Sequence, residues 1–263
     1  MIYITGDTHI PLDISKLNTT LFPQQAEMTK DDFVIILGDF GLYWHEDKTF
    51  RHWHKWLQEK PWTTLWLDGN HENHDWINSM EVSEWHGGKV HKDGSIIHLM
   101  RGQVYEIEGQ TFFVLGGADS TDKEHRREGL SWWPQEVPSW AEFNEAVDNL
   151  ENAGNKVDYI LTHTCPIDLI NPMFHLKPIG YSTVERALQL IYNHKPEFKR
   201  WFFGHWHQSR DFGKFTCLYN RVIRLDEYIP NPETVRAMND VNNKRNVVGP
   251  FDTVEDVMED LRL

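Results

Sequence analysis

Short runs of apolar, β-branched and aromatic residues recur along the chain at 2–5, 33–37, 63–67, 96–100, 111–115, 159–162 and 200–203. Runs this short, bounded by turn-forming residues, predict buried strands. The apolar spacing turns helical at 139–153 and 182–194, where Ser139 and Ser182 stand three residues before Glu142 and Glu185. Serine followed three positions later by glutamate is the capping box that starts a helix. Strands alternating with helices predict an α/β layered fold. The close succession 96–100, 103–108 and 111–115 predicts an antiparallel meander inside it, so the sheets should be mixed.

Neither an internal repeat nor a Gly/Pro/Ser linker interrupts 1–225, which predicts one catalytic-sized domain there. From Asp226 the chain turns polar, with Pro230 and Pro232, and 251–263 sets Val254, Val257, Met258 and Leu261 at helical spacing. That predicts a C-terminal extension over 226–263 with a terminal helix. With 40% hydrophobic residues and 12 Trp in 263, the chain has material for a sizeable core, which excludes a largely disordered protein. A formal net charge of −14 excludes the broad basic field that captures duplex nucleic acid or anionic membranes. No run approaches the roughly 18 apolar residues of a membrane span. The segment 1–5 lacks the basic start and long apolar run of a secretory signal. Cys165 and Cys217 form no Cys-x-x-Cys motif, which suits a reducing compartment, and the expected location is cytoplasmic. Cys165 lies two residues from His163, but a lone cysteine is far more often a small buried hydrophobe than a nucleophile.

Fifteen histidines is the outlying count. Several of them, with other metal-ligating types, sit just after predicted strands, where open α/β sheets bind ligands. The turns read Gly6-Asp7-Thr8-His9, Gly38-Asp39, Gly69-Asn70-His71-Glu72, His163, and Gly204-His205-Trp206-His207. Glycine in four of these turns permits a tight or positive-φ backbone close to a bound ion or phosphate. Asp7, His9, Asp39, Asn70, His163, His205 and His207 offer carboxylate, imidazole and amide oxygen, a mixture for manganese, iron or zinc rather than calcium. Seven ligands are too many for one such ion. If Asp39 bridges, Asp7, His9 and His207 fall to one ion and Asn70, His163 and His205 to another. Two ions roughly 3.5–4 Å apart generate hydroxide at neutral pH and clamp a phosphoryl group during in-line displacement. Phosphoester hydrolysis is the chemistry such a set serves.

In this order, Asp-x-His, Gly-Asp, Gly-Asn-His-Glu, a lone His and Gly-His-x-His resemble the signature of the calcineurin-like metallophosphoesterases, over about 1–225. The resemblance implies a four-layer α/β/β/α sandwich of two mixed sheets, with a dinuclear metal site at the C-terminal ends of the strands. It implies two divalent ions, manganese first with iron or zinc as alternatives, held by the seven residues above with Asp39 as the catalytic bridge. His71 takes the part of the family's non-ligand histidine, which contacts the phosphate and protonates the leaving oxygen. Glu72 supports it from behind.

The sequence departs from the family in one place. The common Gly-Asp-x-x-Asp, extended with Arg in protein phosphatases, here reads Gly38-Asp39-Phe40-Gly41-Leu42-Tyr43. In relatives the second aspartate orients the histidine and the arginine holds phosphate. Leu42 can do neither, which argues against a protein phosphatase and leaves Trp44, His45, Glu46 and Asp47 as candidate replacements. The stretches 99–103, 116–120 and 131–136 also resemble a subgroup found in bacteria and their phages. Arg101, Arg126 and Arg127 are the candidate phosphate holders, and Trp132 and Trp133 the candidate stacking platform. The expected function is metal-dependent hydrolysis of a small, nucleotide-like phosphodiester. The alternatives are a phosphomonoesterase, protein phosphatases included, and a catalytically silent binding scaffold. No membrane partner is expected, and the oligomeric state stays open.

Overall fold

A computed structural model describes residues 1–176 and 183–227. Ser182 and the extension from 228 onward, with its expected terminal helix, lie outside the described residues. The apolar runs all form strands. In chain order the elements are β1 (Ile2–Thr5), β2 (Phe33–Leu37), α1 (Lys48–Gln58), β3 (Thr63–Leu67), α2 (His74–Ser79), β4 (Val82–Trp85), β5 (Gly88–Asp93) and β6 (Ile96–Leu99). They continue with β7 (Gln103–Ile107), β8 (Gln110–Leu115), α3 (Trp140–Asn152), β9 (Tyr159–Thr162), α4 (Ile167–Phe174), α5 (Thr183–Asn193) and β10 (Arg200–Phe203). Three short strands, β11 (Arg210–Phe212), β12 (Phe215–Cys217) and β13 (Val222–Arg224), follow.

Two mixed sheets result. The first runs β13-β1-β2-β3-β6-β5-β4 and the second β11-β12-β10-β9-β8-β7. In the first, β1, β2, β3 and β6 are parallel neighbours, with Ile4 opposite Ile35 and Ile35 opposite Leu65. In the second, β8, β9, β10 and β12 are parallel, with Phe113 opposite Ile160. Side chains alternate along each strand, so every central strand faces two cores. Val34 and Ile36 pack with Leu57 of α1 and Ile77 of α2. Trp201 and Phe203 pack with Phe143 of α3, Ile170 of α4 and Leu188 of α5. The alternate residues Ile35, Leu37, Leu161 and Phe202 are buried on the opposite faces. Tyr105 Oη of β7 donates to the Lys89 carbonyl of β5 at 2.6 Å, which ties one sheet to the other. The order helix, sheet, sheet, helix is the four-layer sandwich.

The expected meander does not exist as one unit. β6 has β3 on one edge and β5 on the other, so no edge remains for β7. The chain instead crosses to the second sheet, where β7 pairs with β8. The crossing turns at Gly102, whose φ of 72° suits a residue without Cβ and whose Cα faces Ala146 of α3. Ser139 and Glu142 form the expected capping box at the start of α3.

A buried acid lies behind the second sheet. Thr164 Oγ1 donates to Glu185 Oε1 at 2.9 Å, and burial pushes the Glu185 carboxyl up to about 7 from 4.5. The folded protein therefore holds a proton that the unfolded chain has released between these values, and stability falls as pH rises through that window. Glu185→Gln is expected to shrink the loss of stability between pH 5 and pH 8.5 by about 2–3 kcal/mol. Urea titrations of both proteins at the two pH values check this, and an unchanged difference would contradict it.

Candidate metal centre

Parallel strands place their C-terminal ends along one rim. Asp7 and His9 follow β1, Asp39 follows β2, Asn70 follows β3, His163 follows β9, and His205 and His207 follow β10. Donor atoms of Asp7, His9, Asp39 and His207 lie within 4.8 Å of one another, as do those of Asp39, His163 and His205. Asn70 joins the second group, its Oδ1 lying 3.2 Å from His163 Nε2. Asp39 belongs to both, with Oδ2 at 3.2 Å from His9 Nε2 and Oδ1 at 3.2 Å from His163 Nε2.

The backbone at these turns is strained. His9, Asp39, His205 and His207 have φ values of 34°, 46°, 68° and 47°. Side chains in the left-handed region cost on the order of 1–3 kcal/mol each, and such residues gather where function fixes them. The strain falls mostly on the ligating types rather than on the glycines before them, of which only Gly38 has positive φ. Gly69 and Gly204 supply space instead: a Cβ at the first would strike Asp39 Oδ1, and at the second Asp7 Oδ1.

Further groups, not singled out by sequence, aim these donors. Asp13 Oδ2 lies 2.8 Å from His9 Nδ1, which turns Nε2 toward Asp39. His163 Nδ1 donates to the Leu37 carbonyl at 2.7 Å, leaving Nε2 for the cluster. Asn70 Nδ2 donates to Ser120 Oγ at 3.2 Å, and Glu136 accepts from both the amide and the hydroxyl of Ser120. Glu72, expected to support His71, instead accepts with its two oxygens from the amides of Phe40 and Gly41 just past Asp39. Lys16 is buried, and its ammonium donates to the carbonyls of Gly6, Asp7 and Tyr219. Asp13 was legible only as the i+4 partner of His9; Ser120 and Glu136 lie in the stretches 116–120 and 131–136, but their link to Asn70 is long-range and has no local signal.

The electrostatics fit a divalent cation. Asp7 and Asp39 are both almost fully buried. Burial opposes charge on His163, yet the Asp39 carboxylate raises its pKa to about 10; against the same opposition Asp39 raises His9 to about 9. In return, His163 holds Asp39 well below the usual carboxylate range in spite of burial. Two buried carboxylates thus draw positive charge onto neighbouring rings, and a cation among the same atoms would supply it in place of those protons. His205 already presents a lone pair, since burial and then the charge of His163 push it down to about 3.

His71 lies at the edge of the cluster, its amide donating to Asp39 Oδ1 at 2.8 Å. Arg126 Nη1 is 3.1 Å from His71 Nδ1 and Nη2 is 3.3 Å from Nε2. The two ring nitrogens point apart within the imidazole plane, so one planar fork reaches both only from the face of the ring, and Nη1 also donates to the Ser131 carbonyl at 3.4 Å. Asp122 holds Arg126 Nε at 2.8 Å. Nearby Arg127 is exposed and makes no contact with the cluster among the described residues.

Arg101 is engaged away from the cluster: it donates to Asp68 Oδ2, Glu142 and the carbonyls of Gln135 and Glu136, and it lines a separate cavity of about 130 Å³ with His74, His91 and His98. Asp68 also meets His98, which faces His91, so these histidines are buried structural groups. Nor do residues 44–47 orient His71, because Asp47 caps α1 by accepting from Phe50 N at 2.9 Å. Trp133 is no stacking platform: it is buried, with Nε1 donating to Asp75 Oδ2 at 2.9 Å. Cys165 is fully buried and its thiol is pushed up by burial, which fits packing and not catalysis. None of the helices among the described residues is long and apolar enough to cross a membrane.

No curated protein matches the chain. Among solved structures it is similar to TT1561 of Thermus thermophilus, at 14% identity and a TM-score of 0.45, over 83% of this chain and 87% of that one. It is similar also to the phosphopantetheinyl hydrolase of Mycobacterium tuberculosis, at 14% identity and a TM-score of 0.39, over 88% of this chain and 96% of that one. The family whose pattern matches is the calcineurin-like phosphoesterases, over residues 1–209. The chain therefore belongs to the calcineurin-like phosphoesterase family and is a metal-dependent phosphoester hydrolase.

Proposed function

We propose that the protein hydrolyses a small, nucleotide-like phosphodiester. The observation that carries this reading is Arg126, whose two terminal nitrogens meet the His71 ring beside the cluster. Asp7, His9, Asp39 and His207 would hold one divalent ion, and Asp39, Asn70, His163 and His205 a second. The mixture of carboxylate, imidazole and amide oxygen suits manganese first, then iron or zinc. When bound, such ions supply Lewis acidity and a water activated near neutral pH.

The chain's own groups do the rest. Asp122 and the Ser131 carbonyl hold Arg126 beside His71, where the fork could exchange the ring for phosphoryl oxygens. One guanidinium matches the single charge of a diester better than the double charge of a monoester. Burial lowers the His71 pKa, with Arg126 adding to it and Asp39 opposing, so the ring is neutral at pH 7. A neutral ring donates an N–H hydrogen bond to the leaving oxygen, a milder part than the full proton transfer expected from sequence.

Arg126→Ala should lower kcat/KM for bis-p-nitrophenyl phosphate by about 100-fold, with Arg126→Lys restoring little because an ammonium cannot form the fork. Inhibition by inorganic phosphate should weaken in parallel. An unchanged inhibition constant would remove Arg126 from the site. The whole reading is tested by comparing bis-p-nitrophenyl phosphate with p-nitrophenyl phosphate on manganese-loaded protein, with His71→Ala alongside. Preference for the monoester would overturn the diester reading, and two bound ions without turnover of either would favour a binding scaffold.

A further inference from the structure

A cavity of about 440 Å³ is lined by Trp44, His45, Glu46, Asn73, Asp75, Trp76 and Gly129. Asn73 stands two residues past His71, and Gly129 three past Arg126. Two residues span at most about 7 Å, so the near wall lies within the length of an ester group from His71. The walls are fixed. Trp44 meets Trp133 edge to face at 5.2 Å, and Trp133 is held by Asp75. Asn73 Nδ2 donates to the Trp44 carbonyl at 2.9 Å while its Oδ1 accepts from the Trp76 amide.

The lining is aromatic and acidic, with the exposed His45 its one imidazole. Both oxygens of Asp75 are engaged, by Trp133 and Gln135. Glu46 is exposed, and its carboxylate has no hydrogen bond or ion pair among the described residues. No lysine or arginine lines the cavity. A second phosphate would be repelled there, whereas a flat ring could lie on the indoles and present N–H donors to Glu46.

Resting on the reading of the cluster as the hydrolytic site, we infer that this cavity takes the alcohol half of the substrate and that this half carries a nucleobase with an exocyclic amine, as adenine, cytosine and guanine do. Their exocyclic amines face Glu46 as donors, where uracil would turn a carbonyl oxygen.

Calorimetry with adenosine, cytidine and uridine tests this on the full, manganese-loaded chain, since the nucleosides carry no phosphate. Adenosine and cytidine should bind about tenfold tighter than uridine. Glu46→Gln should bring them to the level of uridine, and Trp44→Ala should weaken all three about tenfold, with inhibition by inorganic phosphate unchanged in both variants. Glu46 is on the surface, so its variant decides the matter if Trp44→Ala does not fold. Equal binding of the three nucleosides, no detectable binding, or a preference that survives Glu46→Gln would overturn the inference. If the aryl diester is still turned over in that case, the hydrolytic reading stands alone. A Glu46-dependent preference without turnover of any ester would leave the cavity and sink the hydrolytic reading.

Discussion

Asp39→Asn is expected to lower turnover of the aryl diester by about 1,000-fold or more, about 4 kcal/mol of barrier. It should also remove at least one ion from each chain. Asp39 is the residue common to both donor groups, and its two oxygens face different rings, His9 and His163. The same carboxylate accepts from the His71 amide, so it sets the position of that ring as well. Asparagine keeps the shape and one acceptor but removes the charge that a cation needs. Elemental analysis and kcat measured on one preparation check the prediction. Full turnover with two ions bound would contradict the bridging role.

The largest effect on folding is expected at Lys16. Lys16→Met should lower unfolding free energy by about 3–5 kcal/mol, because the carbonyls of Gly6, Asp7 and Tyr219 all lose a charged donor in a buried place. Relief of the cost of burying the ammonium offsets part of the loss; that burial pushes the Lys16 pKa down to about 8. Methionine fills most of the volume, so lost hydrogen bonds and not a cavity dominate. Urea unfolding at pH 7 measures the difference, and a loss below about 1 kcal/mol would show that water replaces the ammonium.

The strands and the rim were legible because each local run is short, apolar and followed at once by a polar turn. Ile2–Thr5 then Asp7, and Arg200–Phe203 then His205, are such cases. Pairing partners were not legible: nothing local to 96–107 says that β6 already has two neighbours, so the meander was a reasonable misreading. α1 was missed because its apolar face, Phe50, Trp53 and Leu57, is thin and interleaved with His52, His54 and charged residues. The seven cluster residues shared a pattern with a known family. The groups that aim them, Ser120, Glu136 and Lys16, act through a few hydrogen bonds that follow no helical or strand period, Ser120 and Glu136 from tens of residues away. The three arginines looked alike in sequence, and only packing separates Arg101, clamped by Asp68, from Arg126, laid on His71.

The rim draws Asp7, His9, Asp39 and Asn70 from the first sheet and His163, His205 and His207 from the second. No fragment shorter than 7–207 therefore carries the whole set. During synthesis at about 5–20 residues per second, the acids near the N-terminus leave the ribosome roughly 10–40 s before the histidines that complete their surroundings. Through that interval Asp7 and Asp39 stay hydrated, and they enter the dry interior only as β9 and β10 dock. Exchange of modules between relatives could not rebuild such a centre from halves.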